Sequence, residues 1–199
     1  MQSPTRRRAL IVVDMQNDFA DPSGSLFVAG APLIVPRVVA AIERARATGD
    51  LVVYTQDWHP AHTPHFAQDG GIWPVHCVAG TPGAELHPAM PGDGPRIRKG
   101  VNGEDGYSGF TVRDVVADET KPTALEPLLR DARVEYVTVC GLATDYCVRA
   151  TALDAARLGF STTLLRDAIA AVELRPGDGD RAIDEMTRAG VAIEATAGA

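Results

Sequence analysis

Cysteine is scarce. Cys77, Cys140 and Cys147 are the three thiols among 199 residues, an odd and low count that excludes a disulfide framework. In a reducing compartment such a thiol is either a small buried hydrophobe or a reagent. Basic runs are also missing. The net charge is −7, and no long stretch of Lys and Arg offers the electrostatic footprint of a nucleic-acid partner. Long apolar runs are absent as well. The run behind Arg6-Arg7-Arg8 covers residues 9–13 and stops at Asp14, too short for an export-signal core, with no small-residue cleavage site directly after it. No other stretch is long enough to cross a bilayer. These absences lead to the expectation of a cytoplasmic protein with no nucleic-acid and no membrane partner.

The composition that is present is ordinary for a soluble protein, with 45% hydrophobic and 23% charged residues. The length suits one domain over residues 1–199, able to hide roughly 70–75% of its unfolded surface. Acidic enzymes of this size often self-associate, which leaves a homo-oligomer open. Apolar or β-branched stretches at 10–13, 51–54, 136–140, 160–165 and 191–193, and the short Arg96-Ile97-Arg98, read as strands. Segments 32–48, 125–132, 144–158 and 180–189 carry helical spacing, and Gly49, Gly159 and Gly190 close three of them. Strand–helix alternation implies a doubly wound α/β fold, a parallel sheet with helices on both faces. Residues 56–95 do not fit that pattern. They are rich in Gly, Pro and His, and a structureless stretch of that length is usually functional or disordered. Both tryptophans lie in it, which argues against disorder. The tail at 194–199 reads as disordered.

Three strand ends carry reactive side chains. The strand ending in Cys140 turns through Gly141-Leu142-Ala143 into a helix with Thr144 at the N-cap, which puts Cys147 at about the third helical position. Free N–H groups and the positive end of the helix dipole favour thiolate there and can hold an oxyanion. Asp14 follows the first strand, where it is placed either to take a proton from a nucleophile or to cap the next loop. Lys99 follows the third strand, where a lysine is most often merely solvated. In open parallel sheets, however, strand C-termini line one crevice, so one pocket can collect an acid, a cation and a thiol. Cys140 and Cys77 read as structural, although Cys77, beside His76, is also a candidate sulfur ligand.

Asp57 and His59 lie two apart in extended chain and share a face. His76 can return as a third ligand, and His62 and His65 offer a fourth. A carboxylate with imidazoles suits Zn²⁺, Fe²⁺ or Mn²⁺ and leaves positions for water or substrate. Any single loop histidine is more often a local hydrogen-bonding group; four of them with an aspartate inside residues 57–76 are harder to explain that way. Phe19 and Trp73 flank these elements and suggest an aromatic slot for a flat ring.

Together, Val13-Asp14-Met15-Gln16-Asn17-Asp18-Phe19, Gln56-Asp57-Trp58-His59-Pro60, Trp73-Pro74-Val75-His76-Cys77-Val78-Ala79-Gly80-Thr81, Lys99-Gly100 and Gly141-Leu142-Ala143-Thr144-Asp145-Tyr146-Cys147-Val148 resemble the nicotinamidase/pyrazinamidase family of isochorismatase-like cysteine hydrolases, over residues 9–170. The resemblance implies a six-stranded, mainly parallel sheet and a catalytic triad of Asp14, Lys99 and Cys147. It implies one divalent metal on Asp57, His59 and His76, with His65 or water completing the shell. It also implies a cis peptide before Ala143, an oxyanion hole from the N–H groups of Ala143 and Cys147, and a ring pocket that includes Tyr107. The expected substrate is a small aromatic amide, nicotinamide with pyrazinamide beside it, converted to the acid and ammonia through a thioester. The rivals are another amidase or a vinyl-ether hydrolase on the same fold, a metal-hydroxide hydrolase in which Cys147 is a bystander, and a metal-dependent binding or redox-sensing protein without turnover.

Overall fold

In the computed structural model, residues 7–196 are described. In chain order the strands are β1 (Arg7–Val13), β2 (Leu51–Asp57), β3 (Arg96–Lys99), β4 (Thr111–Asp114), β5 (Glu119–Pro122), β6 (Val134–Leu142), β7 (Ser161–Ala170) and β8 (Ala192–Glu194). The α-helices are α1 (Asn17–Ala20), α2 (Ala31–Ala47), α3 (Leu125–Asp131), α4 (Arg149–Arg157) and α5 (Asp178–Arg188). Six strands form one sheet in the order β3-β2-β1-β6-β7-β8, and every pairing in it is parallel.

Strand β1 shows why its sequence is apolar without a break from Ala9 to Val13. Leu10 and Val12 face one core with Ile34, Val38 and Ile42 of α2. Ala9, Ile11 and Val13 face the other, with Leu125 and Leu129 of α3, Ala152 and Ala155 of α4 and Met186 of α5. A strand covered on both faces has no position for a polar side chain. Helix α2 buries Ile34, Val38, Ala41, Ile42 and Ala45, whereas Leu33, one of the apolar positions of the sequence pattern, is 79% exposed; Gly49 follows the helix at φ +76°, the left-handed geometry that glycine accepts at a helix end.

The chain winds outward from β1 through β2 to β3, and from β6 through β7 to β8. The direction reverses between β1 and β6, where open α/β sheets form a crevice beyond the strand C-termini. Asp14 and the turn after β6 meet there. Asp57 and Lys99 are register partners on β2 and β3, so two oppositely charged side chains arrive side by side.

Several local expectations need correction. The segment read as one helix from Thr144 begins as a π turn over Thr144–Val148; Ala143, not Thr144, is its N-cap, and no side chain caps it. The Val148 N–H reaches back to the Ala143 carbonyl at 3.1 Å, a widened turn that 3.6-residue spacing cannot show. The antiparallel hairpin β4–β5 was not anticipated; its residues are mostly polar and exposed, with no alternation to read. Residues 56–95 contain two short 3₁₀ turns, Ala67–Asp69 and Pro82–Ala84, tied by bridges His59↔Val78 and Phe66↔Trp73. Of the tail, Thr196 is anchored, its N–H and Oγ1 donating to Asp167 Oδ1 at 2.6 and 2.8 Å. Residues 197–199 and the basic start through Arg6 lie outside the described residues. Among the described residues no helix is long and apolar enough to cross a membrane.

Candidate active site

Asp14 leaves β1 at φ +47°, an uncommon conformation for a side-chain-bearing residue and one that clusters at functional sites. Its carboxylate is fully buried and held at both oxygens. Thr55 Oγ1 donates to Oδ1 at 2.6 Å, and Lys99 Nζ donates to Oδ2 at 2.8 Å. Lys99 is itself buried, 1% exposed. Its ammonium also donates to the Tyr107 carbonyl at 3.2 Å and to Cys147 Sγ at 3.4 Å. It forms an ion pair with Asp57 Oδ1 at 2.8 Å, a contact not aligned as a hydrogen bond. One cation thus sits among two carboxylates and a thiol, and ligand atoms of Asp14, Asp57 and Cys147 lie within 4.8 Å of one another.

Burial and charge set the proton positions. Burial alone would lower the Lys99 pKa, but Asp14 and Asp57 outweigh it and hold the ammonium well above the usual lysine range. Burial raises the Asp14 pKa, with Lys99 pulling against it. Burial likewise pushes the Cys147 thiol well up; Lys99 opposes this while Asp14 and Asp57 add to it. These surroundings oppose the thiolate expected from a helix N-terminus. Desolvation and two carboxylates override the dipole. Cys140 is pushed up to about 12 by burial alone and lies in the apolar strand.

The Leu142–Ala143 peptide is cis, and Ala143 and Cys147 both line one cavity. Phe19, Trp73, Tyr107 and Tyr146 supply its aromatic walls, and Leu26, Val28 and Val172 add apolar surface. Trp73 Nε1 donates to the Tyr107 hydroxyl at 3.0 Å, and Tyr146 meets the Trp73 ring edge-on with centroids 4.9 Å apart. An aromatic lining of this kind suits a small flat ring.

His59, His65 and His76 are buried, and ligand atoms of the three lie within 4.8 Å of one another. Asp57 Oδ2 is 3.8 Å from both His59 Nε2 and His76 Nε2. Among the described residues, neither ring nitrogen of His59 has a hydrogen-bond partner. Buried polar atoms without partners are costly, and a converging carboxylate–imidazole set with orphaned atoms fits a divalent metal. Despite burial, Lys99 and the two histidines hold the Asp57 carboxyl well below its usual range, so it is available as an anionic ligand. Gly100, at φ +74°, makes room here, because a Cβ at that position would run into the His59 ring. His62, a candidate for the fourth position, is instead 80% exposed and pairs with Asp69 away from the cluster.

The isochorismatase domain model matches residues 8–197. The chain belongs to the isochorismatase family. Within that family it is 35% identical over 204 residues to a nicotinamidase of Escherichia coli (strain K12), an alignment covering 94% of this chain and 93% of that one. Among solved structures, the pyrazinamidase of Pyrococcus horikoshii in complex with zinc superposes with a TM-score of 0.85 at 43% identity, over 95% of this chain and 99% of that one. PnC1 from L. infantum in complex with nicotinate gives 0.85 at 38% identity, over 95% and 92%.

The isochorismatase fold of this chain also uses residues that the sequence reading did not single out. Gln16 clamps Asp57 by its backbone. Its Nε2 donates to the Asp57 carbonyl at 2.7 Å and its Oε1 accepts the Asp57 N–H at 2.8 Å. Asp18 Oδ2 accepts the Cys77 N–H at 2.7 Å, next to His76. Asp145 accepts the N–H groups of Val172 and Glu173, each at 2.9 Å, fixing the segment that carries Val172 to the cavity. Gln16, Asp18, Asp145 and Tyr146 stand inside the motifs that carried the resemblance, so proximity in sequence was their available signal. Asp105 had none.

Proposed function

We propose that this chain is a metal-containing cysteine amidohydrolase, a single hydrolase domain over residues 1–199 that acts in the cytoplasm. It converts nicotinamide to nicotinic acid and ammonia, with pyrazinamide as a second substrate. The observation that carries this reading is the buried Lys99 ammonium in contact with both the Asp14 carboxylate and the sulfur of Cys147, a residue that lines the aromatic cavity.

The Cys147 thiol passes its proton to Asp14 as its sulfur attacks the carboxamide carbon; a carboxylate with a raised pKa accepts that proton more readily than a surface aspartate does. The N–H groups of Ala143 and Cys147 hold the oxyanion that forms. Asp14 returns the proton to the amide nitrogen, the C–N bond breaks, ammonia leaves and a thioester remains. Asp14 then takes a proton from water as the water attacks the thioester carbon. Collapse releases the carboxylic acid and restores the thiol. Lys99 stays protonated and offsets the negative charge that moves between Asp14 and Cys147. Two easier steps replace one hard one. Phe19, Trp73 and Tyr107 pack around the ring and exclude water. Asp57, His59, His76 and His65 would hold the divalent ion, zinc, iron or manganese, which would supply Lewis-acid chemistry at the cavity.

Ammonia release from nicotinamide tests the proposal. The wild-type chain turns over, while Cys147→Ala, folded by circular dichroism and still binding metal, loses at least ~10⁴-fold in kcat. Appreciable turnover by that variant would leave the sulfur a bystander and favour a metal-bound hydroxide as nucleophile.

A further inference from the structure

His65 and His76 each have one ring nitrogen engaged, but by different partners. His76 Nδ1 lies 2.7 Å from the Pro74 carbonyl, a neutral neighbour two residues away. His65 Nδ1 lies 2.7 Å from Asp105 Oδ1, a carboxylate forty residues further along the chain. Asp105 is well fixed. Its N–H donates to the Arg113 carbonyl of β4 at 2.8 Å, the Arg113 N–H donates back to the Asp105 carbonyl at 2.5 Å, and Oδ1 also accepts the Gly106 N–H at 2.8 Å. Through this bridge the exposed β4–β5 hairpin supports a residue that reaches the histidine cluster.

A carboxylate on Nδ1–H does two things to an imidazole. It fixes the tautomer and ring orientation that leave the Nε2 lone pair free, and it raises the basicity of that nitrogen. A histidine on a Pro-flanked loop, Thr63-Pro64-His65, otherwise loses side-chain entropy when it is held in one geometry. His62 shows that a carboxylate alone is insufficient: it pairs with Asp69 Oδ1 at 3.1 Å but stands 80% exposed. His65 has both the carboxylate and the convergence with His59 and His76.

We infer that Asp105 is a positioning residue that makes His65, rather than water, the fourth protein ligand and so sets the affinity of the site for its divalent ion. This rests on the metal-site reading above.

The test measures Zn²⁺ affinity of the full-length chain, stripped with a chelator and titrated against a chromophoric competitor. Asp105→Ala is expected to raise the Zn²⁺ Kd about 10- to 100-fold. Asp105→Asn, whose amide oxygen still accepts a hydrogen bond, is expected near the lower end of that range. The deciding comparison is the pair in the His65→Ala background, where removing Asp105 should cost no further affinity. An unchanged Kd in Asp105→Ala overturns the inference while leaving the metal site standing. An equal loss with and without His65 also overturns it, because Asp105 would then act through the hairpin alone. A wild-type chain that binds no Zn²⁺ overturns both readings. If Asp105→Ala does not fold, Asp105→Asn with and without His65 makes the same comparison.

Discussion

Asp14, Lys99 and Cys147 stand at or just beyond the ends of sheet strands, whereas His59, His65 and His76 stand on a segment without long elements of its own. The first group is placed by the sheet. Asp57 and Lys99 are paired by register, and Val13, just before Asp14, pairs with Gly141 at the turn that leads to Cys147. The second group is held by side chains that grip a backbone N–H or a ring nitrogen: Asp18 on Cys77, beside His76, and Asp105 on His65. Proton-transfer partners need tight distances before substrate arrives, and a parallel sheet with both faces packed supplies that rigidity. Metal ligands can be drawn in by the ion itself, since binding energy contributes to local order. Chemistry and affinity should therefore be separable by mutation.

The largest separation is expected on the sheet side. Asp14→Asn keeps an oxygen for Thr55 Oγ1 and leaves Lys99 its Asp57 partner, but removes the proton acceptor. The expected loss in kcat is ~10²–10⁴-fold with an unchanged Zn²⁺ Kd. A parallel fall in metal affinity would show that the two halves are one unit.

Gly100→Ala should do the reverse. A side chain at φ +74° is strained by roughly 1–2 kcal/mol, and its Cβ would push the His59 ring away. Zn²⁺ affinity should fall by about an order of magnitude, and Tm by about 2–8 °C for a chain of this size. Activity at saturating Zn²⁺ should largely return, because Lys99 and Asp14 keep their places. Failure of added metal to restore turnover would tie the ligand loop to the triad.

The smallest effect is expected at Cys140, a sulfur of the same strand that leads to the nucleophile. Cys140→Ala removes a buried sulfur from an apolar core and should cost about 1 kcal/mol in denaturant unfolding. kcat and Zn²⁺ affinity should not change. A kinetic effect would mean that the reactivity of the two cysteines is not divided as their surroundings indicate.

Much of this was legible because it is local. The strand at 10–13 and helix 32–48 follow from patterns a few residues long, and both occur within one or two residues of their read positions except where β1 extends back to Arg7. Lys99 was the weakest sequence candidate of the triad. A lysine at a strand end is usually solvated, and burial between Asp14 and Asp57 emerges only when β3 docks beside β2. The β4–β5 hairpin and Asp105 were silent, since exposed polar strands carry no period and a helper carboxylate carries no motif.

By itself, the sequence determined the alternating elements, the strand-end acid, cation and thiol, and the aspartate–histidine set, because hydrophobic period and residue chemistry are properties of neighbouring positions. Only the tertiary structure decided that burial and two carboxylates oppose the thiolate, that His62 turns away to Asp69 while His65 joins the cluster the resemblance implied, and that Asp105 stands behind it. Those outcomes depend on desolvation and on distances between residues far apart in the chain, and both come into being when the sheet closes and its loops pack over the crevice.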